Sequence, residues 1–144
     1  MEYLIRHLDA ADYDQLVDLW ARCGLSYRPK GRDSREAMEA VFRRMETGVF
    51  GMFDDETIIG AVIGSSDGRK GWINRLAIDP DYRGRGLAEN LIKEAEIFLH
   101  DLGIKVIAAL IEDYNTPSMS TFVKAGYSCD PKINYFSKRE SWED

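Results

Sequence analysis

Between residues 73 and 88 the chain reads Ile-Asn-Arg-Leu-Ala-Ile-Asp-Pro-Asp-Tyr-Arg-Gly-Arg-Gly-Leu-Ala, and few folds accommodate such a passage. An apolar, β-prone run gives way at Asp79-Pro80 to two arginines alternating with Gly84 and Gly86, and then to the first turn of an amphipathic helix. A strand, a tight loop and a helix start in that order turn successive main-chain N–H groups, from Gly84 to Ala88, into one concavity, and the helix dipole adds roughly half a positive charge there. Glycine allows positive φ and close approach of a ligand, while Arg83 and Arg85 place further charge at the rim. The segment is suited to a diphosphate. For an isolated Gly-x-Gly, a plain turn with solvated arginines would be the better reading; the flanking strand, helix and following apolar run shift the balance. A Rossmann fingerprint needs glycine or alanine where Glu89 stands, and a Walker loop needs Gly-Lys-Ser/Thr, so neither fits.

Around this centre the hydrophobic period alternates between about 2 and about 3.6 residues. Tyr3 to His7 reads as a strand. Asp9 is placed to cap a helix reaching Cys23, with Tyr13, Leu16, Val17 and Trp20 on one stripe and Gly24 as its stop. After the polar stretch from Ser26 to Asp33, a second helix is expected from Ser34 to Glu46, with Met38, Val41, Phe42 and Met45 at helical spacing. Val49 to Asp54, Thr57 to Gly64 and Gly71 to Ile78 form an antiparallel meander joined by turn residues. A helix from Gly86 to Leu102 carries Leu87, Leu91, Ala95, Phe98 and Leu99 on one side. Ile104 to Ile111 is apolar enough for a strand buried on both faces. Thr116 and Pro117 open a helix that ends at Gly126, and Tyr127 to Cys129 and Ile133 to Ser137 read as two closing strands. The expected order is β-α-α-β-β-β-α-β-α-β-β, an α/β (α+β) fold with a mixed, mostly antiparallel central sheet.

Length and composition narrow the function. With 144 residues the chain fits one domain, 1–144, given roughly 100–200 residues per domain. Neither an apolar run long enough to span a bilayer nor the uninterrupted apolar core of a secretory leader is present, so the expected compartment is the cytoplasm and no membrane partner is expected. A formal charge of −6 argues against nucleic-acid binding. Cys23 and Cys129 sit in no metal or redox motif and His7 and His100 are isolated, so no metal is expected.

The motif Arg83-x-x-Gly86-x-Ala88 resembles the Arg/Gln-x-x-Gly-x-Gly/Ala signature of the GNAT N-acetyltransferases, and the likeness continues through Leu76-Ala77-Ile78-Asp79-Pro80, Asn115, Phe122, Lys124, Gly126 and Tyr127. Within that superfamily the chain looks most like the small stand-alone prokaryotic members of the YpeA type. The resemblance implies a GNAT fold and acetyl-CoA as cosubstrate. It places the pyrophosphate on Arg83, Gly84, Arg85, Gly86, Leu87 and Ala88, the pantetheine arm beside Leu76, Ala77 and Ile78, and further CoA contacts at Asn115, Ser118 and Phe122. The N–H of Leu76 or Ala77 would polarise the acetyl carbonyl in a gap between two splayed strands.

The implied reaction is attack of a primary amine, from a small molecule, a protein N-terminus or a lysine, on acetyl-CoA in a ternary complex. An alkylamine with a pKa near ~10.4 is mostly protonated at neutral pH and needs a route for its proton. Glu112 and Asp113 are the candidate bases, with Asp79 further from the expected gap. Many relatives carry a tyrosine where this chain has Phe122, which keeps the ring and lacks the acidic hydroxyl; Tyr114, Ser118, Ser120 or water would then serve the thiolate. Phe122 also keeps open a second function, an acyl-CoA-binding sensor with little turnover. The acceptor side is expected from Leu25, Tyr27, Arg28 and Asn74, an arginine there being able to pair with a substrate carboxylate. Trp20 is better read as core. The sequence leaves room for a homodimer.

Overall fold

The computed structural model describes residues 3–144. The first strand, β1 (Leu4–His7), leads to Asp9, which accepts the Ala11 N–H while its own N–H donates to the Asp12 carboxylate. This reciprocal cap starts a short 3₁₀ turn that passes into α1 (Tyr13–Arg22), so the helix expected from Asp9 begins with a tighter turn. Ser34 caps α2 (Arg35–Phe42) by accepting the Ala37 N–H at 3.1 Å. This helix ends short of Glu46, because the N–H groups of Arg43 and Arg44 bond to Ala40 and Val41 in a tightening last turn. Met45, expected on the packed stripe, is 85% exposed.

The meander comprises β2 (Thr47–Asp54), β3 (Thr57–Ser66) and β4 (Gly71–Ile78), all antiparallel. α3 (Leu87–Asp101) then crosses over the sheet and returns the chain to β5 (Ile107–Ala109), which pairs with β4 in parallel. Strand order is β1-β2-β3-β4-β5. α4 (Thr116–Lys124) follows, with Asn115 as its cap in place of the expected Thr116 and Pro117 in its first turn.

Side-chain alternation divides the sheet into two apolar faces. Val49, Phe53, Ile58 and Ala77 meet Leu16, Leu19, Trp20 and Met38 of α1 and α2. Phe50, Met52, Val62 and Ile73 meet Leu91, Ile92, Ala95 and Leu99 of α3. Leu16, Leu91 and Leu99 are completely buried, each worth about 1.5–3 kcal/mol relative to exposure. Helices on both faces explain why β2 and β3 are almost continuously apolar. Trp20 is fully buried beneath this sheet, as the stripe implies.

The last third departs from the sequence reading. Only Ile107–Ala109 of the expected Ile104 to Ile111 strand pairs, and these residues are half-buried, with Val106 and Leu110 exposed. Neither closing strand forms: residues 127–129 and 133–137 have no strand partner, and Ile133, Tyr135 and Phe136 are exposed. Among the described residues β5 is an edge strand, with no strand paired on its outer side. The observed order therefore ends β-α at α4, and the sheet has five strands among the described residues.

Candidate active site

The loop after β4 is built around Asp79, a buried carboxylate that accepts the Asp81 N–H and the Arg22 Nε–H, both at 2.9 Å. Those bonds fix the end of β4 and the direction in which the chain leaves it. Arg83 folds back to donate its Nε–H to the Ile78 carbonyl at 3.0 Å. Gly84 and Gly86 then adopt φ of +79° and +74°, and α3 begins at Leu87 with no side-chain cap. Among the described residues no main-chain carbonyl accepts the N–H groups of Gly84 to Ala88. A helix of this length with its first donors uncapped is an anion site in waiting. A Cβ built on Gly84 or Gly86 would meet no protein atom within 4 Å, so neither glycine is required by packing. The space in front of them fits a ligand that approaches the main chain.

The second feature lies along β4. Val62 of β3 faces both Arg75 and Leu76, because the register passes from Ala61–Ala77 to Ile63–Asn74. This bulge puts Arg75 at φ +54°, a left-handed conformation rare for a residue with a side chain. On its other edge β4 pairs with β5 only at Gly71, Trp72 and Ile73. From Asn74 onward that edge is unpaired by β5, and the two strands leave a gap. The loop and the gap form one groove of about 610 Å³.

Several residues expected at the cofactor meet in this groove: Leu76, Ala77 and Ile78 on β4, then Arg83, Gly84, Gly86, Leu87 and Ala88. Asn115 and Ser118 wall the opposite side, the Asn115 carboxamide oxygen accepting the Ser118 N–H at 3.3 Å. Arg85 is directed elsewhere: its guanidinium donates to the Tyr3 hydroxyl and the Asp81 carbonyl and stacks over Tyr82. Phe122 belongs to the core beneath the groove, 6% exposed and edge-on to Tyr127. Tyr127 donates to Glu96 at 2.7 Å, and burial together with that bond raises its pKa.

On the acceptor side Leu25 lines the groove and Tyr27, Arg28 and Asn74 do not. The Tyr27 hydroxyl is 2.8 Å from that of Tyr13, which donates to the Asp33 carbonyl at 2.6 Å. Asn74 is exposed, with Ser65 as its partner. The Arg28 Nε is buried without a partner among the described residues. Glu112, Asp113 and Tyr114 lie on the exposed turn before α4 and do not line the groove.

Six groove residues lie outside the expected site: Cys23, Tyr82, Glu89, Pro117, Thr121 and Lys124. Cys23 presents its thiol to the Ile78 carbonyl at 3.3 Å, and burial raises its pKa against the pull of Arg83. Thr121 and Lys124 share a face of α4 with Pro117, an i, i+4, i+7 spacing that was available in the sequence. Among the described residues there is no cluster of metal-ligating side chains, and no helix is long and apolar enough to cross a membrane.

Residues 13–127 match the model of the acetyltransferase (GNAT) family. The chain belongs to that family. It is similar to acetyltransferase SG1711 of Sodalis glossinidius, 27% identical over 128 residues with 89% of each chain covered. It is also similar to an acetyltransferase of Yersinia pestis, 28% identical over 129 residues with 90% of each chain covered. Among solved structures, the PaiA N-acetyltransferase of Thermoplasma acidophilum in complex with coenzyme A superposes with a TM-score of 0.81, at 21% identity and with 92% of this chain and 94% of that one covered. The aminoglycoside acetyltransferase AAC(6')-Iy, bound to a bisubstrate analogue of CoA and acetylneamine, gives 0.80 at 18% identity, covering 96% and 99%. These likenesses carry the GNAT fold, and the family carries the acetyltransferase activity.

Proposed function

We propose that the chain transfers the acetyl group of acetyl-CoA to a primary amine of a small molecule or peptide in the cytoplasm, by direct attack within a ternary complex. One observation carries the reading: a single groove joins the unfilled donors of Gly84 to Ala88 to the unpaired edge of β4. The pyrophosphate takes the first, where charge-assisted bonds to main-chain N–H groups are strongest. The pantetheine arm follows the second, between β4 and the start of α4, and brings the thioester to the bulge.

There the amine nitrogen attacks the carbonyl carbon and a C–N bond forms. The carbonyl oxygen gains charge, which the N–H of Leu76 would stabilise; that of Ala77 shares the β3-facing edge with the Asp79 N–H, which donates to the Ile59 carbonyl. The C–S bond then breaks, CoA leaves as its thiolate, and the proton lost by the amine reaches the thiolate through water. Phe122 has no proton to give, and its burial removes it from that relay. Before attack, Glu112 and Asp113, on the exposed turn before α4, would take one proton through solvent from the ammonium form and leave the neutral amine; the second proton, released on amide formation, is the one that reaches the thiolate. A structural neighbour that binds CoA joined to an aminoglycoside supports a small-molecule amine as acceptor.

The test combines calorimetry with CoA and thiol release from acetyl-CoA in the presence of polyamines, aminoglycosides and lysine peptides. Micromolar binding and amine-stimulated release are expected. Failure to bind CoA overturns the cofactor assignment, whereas binding without turnover on any amine identifies an acyl-CoA sensor.

A further inference from the structure

Arg75 is the one described residue bearing a long side chain that takes up a left-handed backbone at the edge of the groove. An arginine pays for such a φ, since the Cβ crowds the carbonyl, and the position persists only where surrounding contacts over-determine it. Those contacts are specific. One guanidinium nitrogen donates to the Asp33 carboxylate at 2.7 Å, the other to the Ser26 carbonyl at 2.6 Å, and the plane lies 4.7 Å over the ring of Trp20. The arginine and aspartate side chains are only 16% and 5% exposed.

Ser26 and Asp33 are the two ends of the connector between α1 and α2. The same Asp33 oxygen accepts the Arg28 N–H at 2.8 Å, and the Asp33 carbonyl takes the Tyr13 hydroxyl, so the connector is closed on itself and then fastened to β4. Leu25, immediately before Ser26, stands in one wall of the groove, and Leu76, immediately after Arg75, stands in another. The guanidinium therefore spans the sheet position that would hold the acetyl group and the loop that would face its acceptor.

We infer that Arg75 is a positioning residue that clamps the 26–33 connector against the β4 bulge and so sets the acceptor side of the groove. This rests on the acetyl-transfer reading above. Arg75 touches neither cosubstrate; it acts by holding Leu25 and the connector at a fixed distance from Leu76. Loosening it weakens acceptor binding selectively, because the CoA cradle at residues 84–88 is fastened separately through Asp79 and Arg83.

Arg75→Gly removes the clamp and accepts the positive φ without strain, so the bulge is retained. With the best amine from the panel above, its acceptor KM rises at least tenfold while the acetyl-CoA KM stays within twofold. Asp33→Asn shifts the acceptor KM in the same direction, and the double variant is no worse than the poorer single one, as expected for one shared interaction. Arg75→Lys, which keeps the charge opposite Asp33 and loses the second bond to Ser26, falls between. Arg44→Met, at a surface ion pair away from the groove, leaves both constants unchanged. Thermal unfolding in the presence of CoA verifies that each variant is folded. An acceptor KM within twofold of wild type in folded Arg75→Gly, or additive effects in the double variant, overturns the clamp. If the wild type turns over no amine, the acetyl-transfer reading falls and takes this inference with it, a result distinct from an active enzyme indifferent to Arg75.

Discussion

Two glycines at opposite ends of the same helix separate backbone strain from ligand contact. Gly86 precedes α3 at φ +74° and Gly103 follows it at φ +84°, and a Cβ on either would meet no protein atom within 4 Å. Alanine at either site therefore meets the same opposing terms: a left-handed Cβ penalty of about 1–2 kcal/mol, partly offset by about 0.4–1 kcal/mol from a less flexible unfolded chain. Both variants should lose roughly 0–1.5 kcal/mol of stability. Only Gly86 lines the groove.

A methyl group at residue 86 occupies the space in which a diphosphate would approach the N–H groups of Gly84 to Ala88. Losing one hydrogen bond to a charged group is worth about 1.5–3 kcal/mol, or roughly 13- to 160-fold in Kd. Gly86→Ala should thus weaken CoA by at least tenfold, and a β-branched residue there by more, whereas Gly103→Ala should leave CoA affinity within twofold. Urea unfolding measures the shared strain and calorimetry the affinity. Equal CoA affinities in the two variants would refute the reasoning, since they share the strain and differ only in the groove.

Other sites give independent tests. Leu91→Ala, at a fully buried position of α3, should cost about 2–5 kcal/mol in urea unfolding. Phe122→Tyr should leave CoA affinity unchanged in calorimetry, since Phe122 packs in the core and does not line the groove. Lys124→Met should weaken CoA about three- to tenfold at low ionic strength and less in high salt, as expected for a rim charge with no ion-pair partner among the described residues. The Arg6 guanidinium, bonded to both oxygens of Asp12 at 2.9 and 3.0 Å, holds that carboxyl below its usual range. A depressed folded pKa gives stability that is present above the unfolded value near ~3.9 and lost as pH falls through the folded one. Asp12→Asn should therefore lose about 1–2 kcal/mol at neutral pH, discounted because Arg6 is partly exposed, and should flatten the acid limb of an unfolding titration.

What the sequence made legible was local and periodic. The meander, the stripe of α3 and the glycine-arginine loop carry their own signals: alternation, helical spacing, turn residues, and positive φ at residues that allow it. The closing strands failed for a related reason. Ile133 to Ser137 has a strand-like composition, but a strand exists only with a partner, and β5 is too short to offer one. Tyr27 and Arg28 lie in the part of the chain least like the family, where an aromatic can line a slot and an arginine can pair with a carboxylate, yet the Tyr27 hydroxyl is tied to Tyr13 and neither side chain lines the groove. Arg75 was invisible as a special residue, since nothing in its neighbours announces a left-handed arginine. That conformation belongs to the bulge, and the side chain is held by Asp33 and Ser26, more than forty residues earlier in the chain.

In and beside the groove the chain uses two different solutions to the same backbone problem. At residues 84 and 86 the chain takes positive φ with glycine, leaving the space beside the main chain empty, as an approaching anion requires. At residue 75 it takes positive φ with arginine, and the space is filled by a guanidinium that ties a remote loop to the strand. Exchanging the two devices would defeat both: a side chain in the cradle displaces the diphosphate, and a glycine at the bulge keeps the bend while releasing the connector. The cofactor end is accordingly written in main-chain geometry that a short motif encodes. The acceptor end depends on a side-chain clamp between distant segments, which is why the family could be read from residues 83–88 and the acceptor could not.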